Sequence, residues 1–163
     1  MRLNIIGASG HAKVVADIAV KCGYTDIVFW ENDETIKECA GFPVYLESIG
    51  VTEGDVFAAV GNASIRKRIM ERYKDRIQPA LIHPSAVIAD GVKIGPGSAI
   101  MAGVVVNPDS TIGKGVILNT SCSVDHDCVV EDFAHIAVGA HLCGGVEIGD
   151  ETWIGAGFLY RLR

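Results

Sequence analysis

Residues 116–136 read VILNTSCSVDHDCVVEDFAHI, and this stretch decides the fold because its pattern repeats every six residues. Aliphatic side chains stand at Leu118, Val124 and Val130, and a small residue follows four positions after each of them. Neither the helical period of about 3.6 residues nor the alternation of a flat strand produces this spacing. In both directions from here, the aliphatic register holds without a break at thirteen positions: 82, 88, 94, 100, 106, 112, 118, 124, 130, 136, 142, 148 and 154.

Such a hexapeptide repeat is typical of a parallel β-helix. Each repeat supplies a short strand and a turn, and successive repeats close a triangular coil with the aliphatic side chain inward. Coils stack at the strand spacing of about 4.8 Å, so the inward side chains of each coil are buried by those of its neighbours. The sequence therefore predicts short parallel strands from Ile82 to Ile154. Cys122 and Cys128 occupy the small inward position, so we expect core residues there rather than nucleophiles or metal ligands.

The first half of the chain follows a different pattern, in which strands alternate with helices. Apolar runs that read as strands and amphipathic stretches that read as helices fall at residues 3–6, 11–22, 27–30, 55–60 and 64–76. This alternation predicts a small parallel sheet with right-handed crossovers. We therefore expect two domains, an α/β domain over residues 1–80 and a β-helix over residues 81–163.

Composition and charge exclude several classes of protein. The net charge is −6, and the basic residues form no block beyond Arg66–Arg68, so no nucleic-acid-binding face is expected. The N-terminus lacks the arrangement of a signal peptide, and no window approaches the roughly 18 apolar residues of a membrane span. Five cysteines without a CxxC pair indicate reduced thiols. These features predict a cytoplasmic protein without a membrane span.

Three motifs carry a resemblance to a known family. They are IGASGHAKVV at residues 6–15, AVGN at 59–62, and the segment from Ile117 through His126 to His135. With them the chain resembles the sugar acetyltransferases that include sialic acid O-acetyltransferases and UDP-N-acetylbacillosamine N-acetyltransferases. The resemblance implies an α/β Rossmann-like nucleotide-sugar domain followed by a left-handed parallel β-helix, assembled as a homotrimer. It also implies acetyl-CoA as co-substrate, no metal, and a role in glycan biosynthesis.

His126 and Asp127 are the predicted catalytic pair. Acetyl transfer needs a base that takes a proton from an attacking amine or hydroxyl, and histidine has a reference pKa of about 6.5. A neighbouring carboxylate can orient the ring and strengthen its basicity. Asp125 competes with Asp127 for that role, and the resemblance favours Asp127. It also implies that His135 contacts acetyl-CoA. Gly144 follows His126 by one coil of 18 residues, so we expect it to leave room for the pantetheine arm.

The loop Gly7–His11 follows a predicted strand and opens a predicted helix, where backbone amides and the helix N-terminus attract phosphate. A dinucleotide fingerprint would need glycine where Ser9 and Ala12 stand, so NAD is not expected. An acidic residue after the second strand commonly takes a hydroxyl or base donor. The alternative is that the Gly7–His11 loop and the segment after the second strand are ordinary turns that bind no ligand. The resemblance maps nucleotide-sugar binding to Ser9, Gly10, His11, Glu31, Asn32 and Gly61.

Two other functions compete with acetyl transfer. A trimeric γ-type carbonic anhydrase also has a hexapeptide β-helix, but its paired zinc ligands stand five apart, whereas His126, His135 and His141 are spaced by nine and six. A non-catalytic trimer that binds a nucleotide sugar is the second alternative. From Phe158 onward the sequence departs from the repeat, while family members continue for roughly two more coils. We therefore expect the repeat to end there, as a truncated β-helix with a less complete coenzyme A groove.

Overall fold

The computed structural model describes residues 1–161, which form two compact units, Met1–Gln78 and a second that begins at Pro79. Single 3-10 turns at Glu47–Ile49 and Lys74–Arg76 accompany the regular elements of the first unit. These elements are β1 Arg2–Ile6, α1 Gly10–Lys21, β2 Asp26–Glu31, β3 Glu38–Cys39, β4 Phe42–Leu46, β5 Asp55–Ala58 and α2 Ala63–Arg72.

The sheet of the first unit has the order β3-β4-β2-β1-β5, and all its pairs are parallel except β3 with β4. Leu3, Ile5, Phe29 and Phe57 are fully buried, as expected for parallel strands covered on both faces. The predicted parallel sheet is confirmed. Because β1, β2 and β5 are neighbours that run the same way, the loops after their carboxyl ends meet at one edge.

The hairpin of β3 and β4 was not predicted from the sequence. Pro43 lies within β4, and proline inside an apolar run argues against a strand unless the strand is short or at an edge. Ala40 and Gly41 form the tight turn with φ of 51° and 81°. The predicted second helix is also shorter than expected, since α2 ends at Arg72 and the chain tightens into the 3-10 turn that follows.

The second unit is a parallel β-helix with three flat faces. Strands on each face pair in parallel with a register of 18 residues, as Ser123 with His141 shows. Face 1 comprises β6 Leu81–Ile82, β9 Ala99–Ile100, β12 Ile117–Leu118, β15 His135–Ile136 and β18 Trp153–Ile154. Face 2 comprises β7 Val87–Ile88, β10 Val105–Val106, β13 Ser123–Val124, β16 His141–Leu142 and β19 Leu159–Tyr160. Face 3 comprises β8 Lys93–Ile94, β11 Thr111–Ile112, β14 Val129–Val130 and β17 Glu147–Ile148.

Corners between the faces share one backbone conformation. Every sixth residue adopts a positive φ, which turns the chain from one face to the next. Glycine accepts this conformation at no steric cost, and aspartate tolerates it better than most residues. These corner positions are Gly91, Gly97, Gly103, Asp109, Gly115, Ser121, Asp127, Phe133, Gly139, Gly145, Glu151 and Gly157.

The predicted inward positions form the core of the β-helix. From Ile100 to Ile154 the repeated aliphatic side chains are buried, whereas Ile82, Ile88 and Ile94 of the first coil are half-buried. Cys122 and Cys128 lie in the interior, and burial raises the pKa of the Cys122 thiol to about 12. Both thiols are therefore in the unreactive protonated form at neutral pH.

The expectation that the repeat ends at Phe158 is wrong. Leu159 and Tyr160 form β19, which pairs with β16 so that Tyr160 stands in the aliphatic register opposite Leu142. A strand depends more on its backbone hydrogen bonds to the neighbouring strand than on a particular side chain. Phe158 does not disturb the core, because it points away from it with 54% of its surface exposed. Leu162 and Arg163 lie outside the described residues. Over residues 1–161, no helix has the length and hydrophobicity needed to span a membrane.

Candidate active site

The His126–Asp127 pair lies at an exposed corner between face 2 and face 3. The two side chains are 60% and 63% exposed, and His126 Nδ1 lies 2.6 Å from Asp127 Oδ2. Successive side chains of an extended strand point to opposite sides and would not meet. Asp127 adopts φ of 58°, one of the corner positions, and this turn brings the two neighbours together. The β-helix corner therefore builds the pair from consecutive residues.

The ring of His126 is polarised by its carboxylate neighbours. The hydrogen bond to Asp127 raises the pKa of His126, and the negative charges of Asp125 and Asp109 add to the effect. A carboxylate can only accept, so Nδ1 carries the hydrogen and the lone pair of the neutral ring is on Nε2. The result is an exposed histidine whose Nε2 is a stronger base than that of an isolated imidazole.

Asp125 has a different task from Asp127. Its Oδ1 accepts hydrogen bonds from Asn107 Nδ2 at 2.8 Å and from the backbone N–H of His126 at 2.9 Å. The Asn107 contact is the main reason why the pKa of Asp125 is lowered. Asp125 thus fixes the backbone of His126 and remains ionised close to the ring. Sequence reasoning missed Asn107, although it precedes Asp125 by one coil of 18 residues and so had to stack beneath it.

Buried hydrogen bonds make this corner rigid. Ser110 is 2% exposed, and its Oγ donates to the carbonyl of Asp125 at 2.7 Å and accepts from the N–H of Cys128 at 3.1 Å. The carbonyl of His126 accepts from the N–H of Gly145 at 2.9 Å in the next coil. The histidine backbone is therefore tied to the coils below and above it, as a site that must hold one geometry requires.

Gly144 lies directly above His126 in the next coil. A Cβ atom at this position would come within 2.6 Å of both Cε1 and Nε2 of His126. The imidazole of His126 therefore occupies the space that a side chain at position 144 would need. The predicted contact of Gly144 with the pantetheine arm stays a prediction.

His135 lies on face 1, beside Asn119. Its Nε2 is 3.2 Å from Asn119 Nδ2, and its ring is 6.4 Å from that of Trp153. The structure does not bring His126 and His135 together, because they are nine residues apart and one coil takes 18. His126 is at the corner between faces 2 and 3, and His135 is half a coil away on face 1, which is opposite that corner.

The predicted sugar-nucleotide loop of the first unit is held by Glu31. Its Oε2 accepts from the backbone N–H of Ala8 at 3.1 Å, and its Oε1 accepts from the N–H of Asn32 at 2.7 Å. Asn32 Nδ2 donates to Glu47 Oε2 at 3.0 Å. The structure thus brings Glu31 to the Gly7–His11 loop, where both of its oxygens bind backbone amides.

Gly7 was quoted in the motif but not selected as a site residue, and the structure shows why glycine stands there. Its φ is 103°, and a Cβ would lie 3.1 Å from both the carbonyl oxygen of Ala59 and Cγ2 of Val60. Only glycine therefore lets the loop after β1 pass so close to the end of β5.

The first turn of α1 and the loop after β5 complete this edge of the first unit. Ser9 is the N-cap residue, with an extended backbone at φ −92° and ψ −174°, and His11 follows in the first turn. Among the described residues, apart from the adjacent residues and the backbone of α1 itself, no atom lies within 4 Å of where a Cβ of Gly10 or Gly61 would be. Arg66 is 1% exposed and donates to the carbonyls of Val60 and Gly61 at 2.8 and 2.9 Å.

The histidines named for the zinc alternative are distributed around the β-helix. His141 is on face 2, where its Nδ1 is 2.8 Å from Ser123 Oγ, while His126 and His135 are half a coil apart. Within residues 1–161, no three side chains of His, Cys, Asp or Glu are grouped closely enough to hold a metal ion.

A parallel β-helix with an Asp-polarised histidine at its corner, preceded by a Rossmann-like unit, defines the class of β-helix acyltransferases. Residues 2–73 match the family model of the PglD N-terminal domain. The acetyltransferase domain of PglB from Neisseria gonorrhoeae is 42% identical, with a TM-score of 0.92, over 98% of this chain and 82% of that chain. That domain is also known in complex with acetyl coenzyme A.

A second relative is perosamine N-acetyltransferase from Caulobacter crescentus. A mutant of that enzyme in complex with CoA and GDP-perosamine is 30% identical, with a TM-score of 0.83, over 99% of this chain and 89% of that chain. WeeI from Acinetobacter baumannii, at 24% identity and a TM-score of 0.72, shows the same fold. The chain belongs to the hexapeptide-repeat sugar acetyltransferase family, and its β-helix is left-handed.

Proposed function

We propose that this protein transfers the acetyl group of acetyl-CoA to the amino group of a nucleotide-linked sugar, with His126 as general base. The observation that carries this proposal is the 2.6 Å contact between His126 Nδ1 and Asp127 Oδ2 at a rigid corner of the β-helix. The relatives support the two substrates, since one binds acetyl coenzyme A and another is an N-acetyltransferase with CoA and GDP-perosamine bound.

The chemistry needs one proton acceptor and no covalent enzyme intermediate. Nε2 of His126 takes a proton from the sugar amine as its nitrogen attacks the thioester carbonyl. The new C–N bond forms, the C–S bond breaks, and the leaving coenzyme A thiolate takes up a proton, for which the imidazolium is the nearest donor. Asp127 stabilises that imidazolium while it exists, as in other histidine–carboxylate pairs.

We propose assembly as a homotrimer, and the positions of the two histidines support it. His126 and His135 are half a coil apart in one chain, so a single site that uses both must combine two chains. A cyclic trimer provides three equivalent interfaces of this kind. We propose that His126 of one subunit takes the proton, while His135 of the partner subunit contacts acetyl-CoA with Asn119 beside it.

The direct test is a coenzyme A thiol-release assay with a panel of acceptors. We expect turnover with nucleotide-linked amino sugars and much less with the corresponding hydroxyl sugars. If turnover requires a hydroxyl acceptor, the enzyme forms an ester instead of an amide, and the proposed role of His126 is unchanged. Binding of nucleotide sugars without thiol release would favour the non-catalytic trimer, and carbonic anhydrase activity that depends on zinc would overturn the proposal.

Asp127→Asn separates the carboxylate's effect from the base itself. His126 must be neutral to act, so its raised pKa places the acid limb of kcat/KM at a higher pH than an isolated imidazole would. Without the carboxylate that pKa falls, so we expect the acid limb to move to lower pH. Turnover at high pH should fall by roughly tenfold, less than for loss of the base. The measurement is the pH profile of kcat/KM from pH 5 to 9. An acid limb at the same pH in the variant and the wild type would contradict the role of Asp127.

Gly10→Ala tests the nucleotide-binding role of the first unit. A methyl group at the first turn of α1 would occupy the open space that a phosphate needs, and we expect Kd for a nucleotide diphosphate to rise about tenfold. Alanine is more stable than glycine in a helix by roughly 0.5–1 kcal/mol, so Tm should not fall. Calorimetry with acetyl-CoA, which should be unaffected, is the control. Unchanged nucleotide affinity would show that this loop is an ordinary turn.

A further inference from the structure

Gly144 occupies a turn position where the backbone does not require glycine. The equivalent positions six and twelve residues away are Asp132, Val138, Asp150 and Ala156, all with ordinary side chains. Gly144 is also not among the residues with a positive φ. An alanine would therefore fit the backbone at this corner, and the reason for glycine must lie in what surrounds it.

What surrounds Gly144 is the catalytic ring. A Cβ atom there would be 2.6 Å from Cε1, 2.6 Å from Nε2 and 3.2 Å from Cδ2 of His126. The two backbones cannot separate to relieve this contact, because the N–H of Gly145 donates to the carbonyl of His126 at 2.9 Å. The ring is the part that can move, since the side chain of His126 is 60% exposed.

We propose that Gly144 is a positioning residue whose bare Cα lets the imidazole of His126 lie in the orientation that Asp127 holds. A ring pushed off Gly144 must give up the 2.6 Å contact between Nδ1 and Asp127 Oδ2. This inference rests on the proposed function for its catalytic consequence, but the geometry itself can be tested without catalysis.

The sensitive variant is Gly144→Ala, with Gly149→Ala as its matched control. A Cβ at Gly149 would meet Glu131 Oε2 at 3.7 Å and Thr152 Oγ1 at 3.8 Å, which are ordinary contacts. Both glycines lie in the β-helix outside the positive-φ positions, so both alanines should leave the fold and Tm unchanged. Only Gly144→Ala should disturb the ring.

The first measurement is an NMR titration of the His126 ring protons, assigned by their loss in His126→Ala. Asp127, Asp125 and Asp109 are the charged groups that raise the pKa of His126, and the Asp127 hydrogen bond is the largest cause. We expect the titration midpoint of His126 to fall in Gly144→Ala and to stay in place in Gly149→Ala. An unchanged midpoint in Gly144→Ala would overturn the proposal, whatever the enzyme's activity.

The second measurement is turnover, in a double-mutant cycle with His126→Ala. Displacement of the base should lower kcat in Gly144→Ala by about 10²-fold with little change in acetyl-CoA affinity. On the His126→Ala background the same alanine should cost nothing further, because there is no ring to displace. A loss of acetyl-CoA affinity with an unchanged midpoint would mean that Gly144 serves the coenzyme, not the ring. Equal turnover of wild type and His126→Ala would instead refute the proposed function alone.

Discussion

His126→Ala should lower kcat by roughly 10²–10⁴-fold, the usual contribution of a general base. The backbone contacts at this corner do not involve the ring, since Asp125 and Gly145 both bind main-chain atoms of His126. The variant should therefore fold normally and keep its affinity for acetyl-CoA. Steady-state kinetics by thiol release, with Kd for acetyl-CoA measured separately, distinguishes loss of chemistry from loss of binding.

Alanine variants of two other histidines serve as comparisons for His126→Ala. His83→Ala is the matched control, because His83 lies in the first coil and its Nδ1 accepts from the N–H of Ser85 at 3.0 Å. Turnover of that variant should equal the wild type. His135→Ala should weaken the acetyl-CoA complex more than the chemical step. Unchanged turnover in His126→Ala would refute the mechanism.

The fold could be predicted largely from the sequence because the β-helix depends on a simple repeat. Each inward aliphatic residue, such as Leu118 or Val124, is buried by identical positions one coil away, so the period alone identifies the core. Handedness could not be derived in this way and came from the family resemblance. The last strand was missed because Tyr160 is not aliphatic, although its backbone still completes the ladder with Leu142.

The proposed catalytic pair could be picked out in the sequence, but the residues that hold it in place could not. His126 and Asp127 stand outside the inward and small positions, which marks them as corner residues. Asn107 contacts Asp125 only through stacking of coils, and a linear scan of neighbours does not show it. Gly144 was connected with His126 by the 18-residue offset, yet the contact with the ring needed coordinates.

In the first unit, the contacts of the Gly7–His11 loop depend on hydrogen bonds that residue types alone could not reveal. Glu31 was expected to meet a ligand, and in the structure it accepts from the backbone of Ala8 and Asn32. The contact with Ala8 ties the loop after β1 to the end of β2, and the contact with Asn32 fixes the carboxylate itself. Its position at the end of β2 was predictable, whereas the direction of its side chain was not.

The second large effect is expected when two impaired variants, His126→Ala and His135→Ala, assemble into the same trimers. If the site combines His126 of one subunit with His135 of the partner subunit, then trimers that contain both His126→Ala and His135→Ala chains regain intact sites. In a cyclic trimer each mixed assembly has one interface where both native histidines meet. Random association of equal amounts makes about three quarters of the trimers mixed, so about a quarter of all sites should be restored.

Co-expression of the two variants with different affinity tags allows the mixed trimers to be isolated. At acetyl-CoA concentrations where each variant alone is nearly inactive, the mixed trimers should show a large gain in turnover. Mixing the purified variants after assembly, without exchange of subunits, is the control and should show none. A site formed within one chain would leave every subunit with one histidine missing, and activity would not return. That outcome, or a strict monomer in light scattering, would contradict the half-coil argument from His126 and His135.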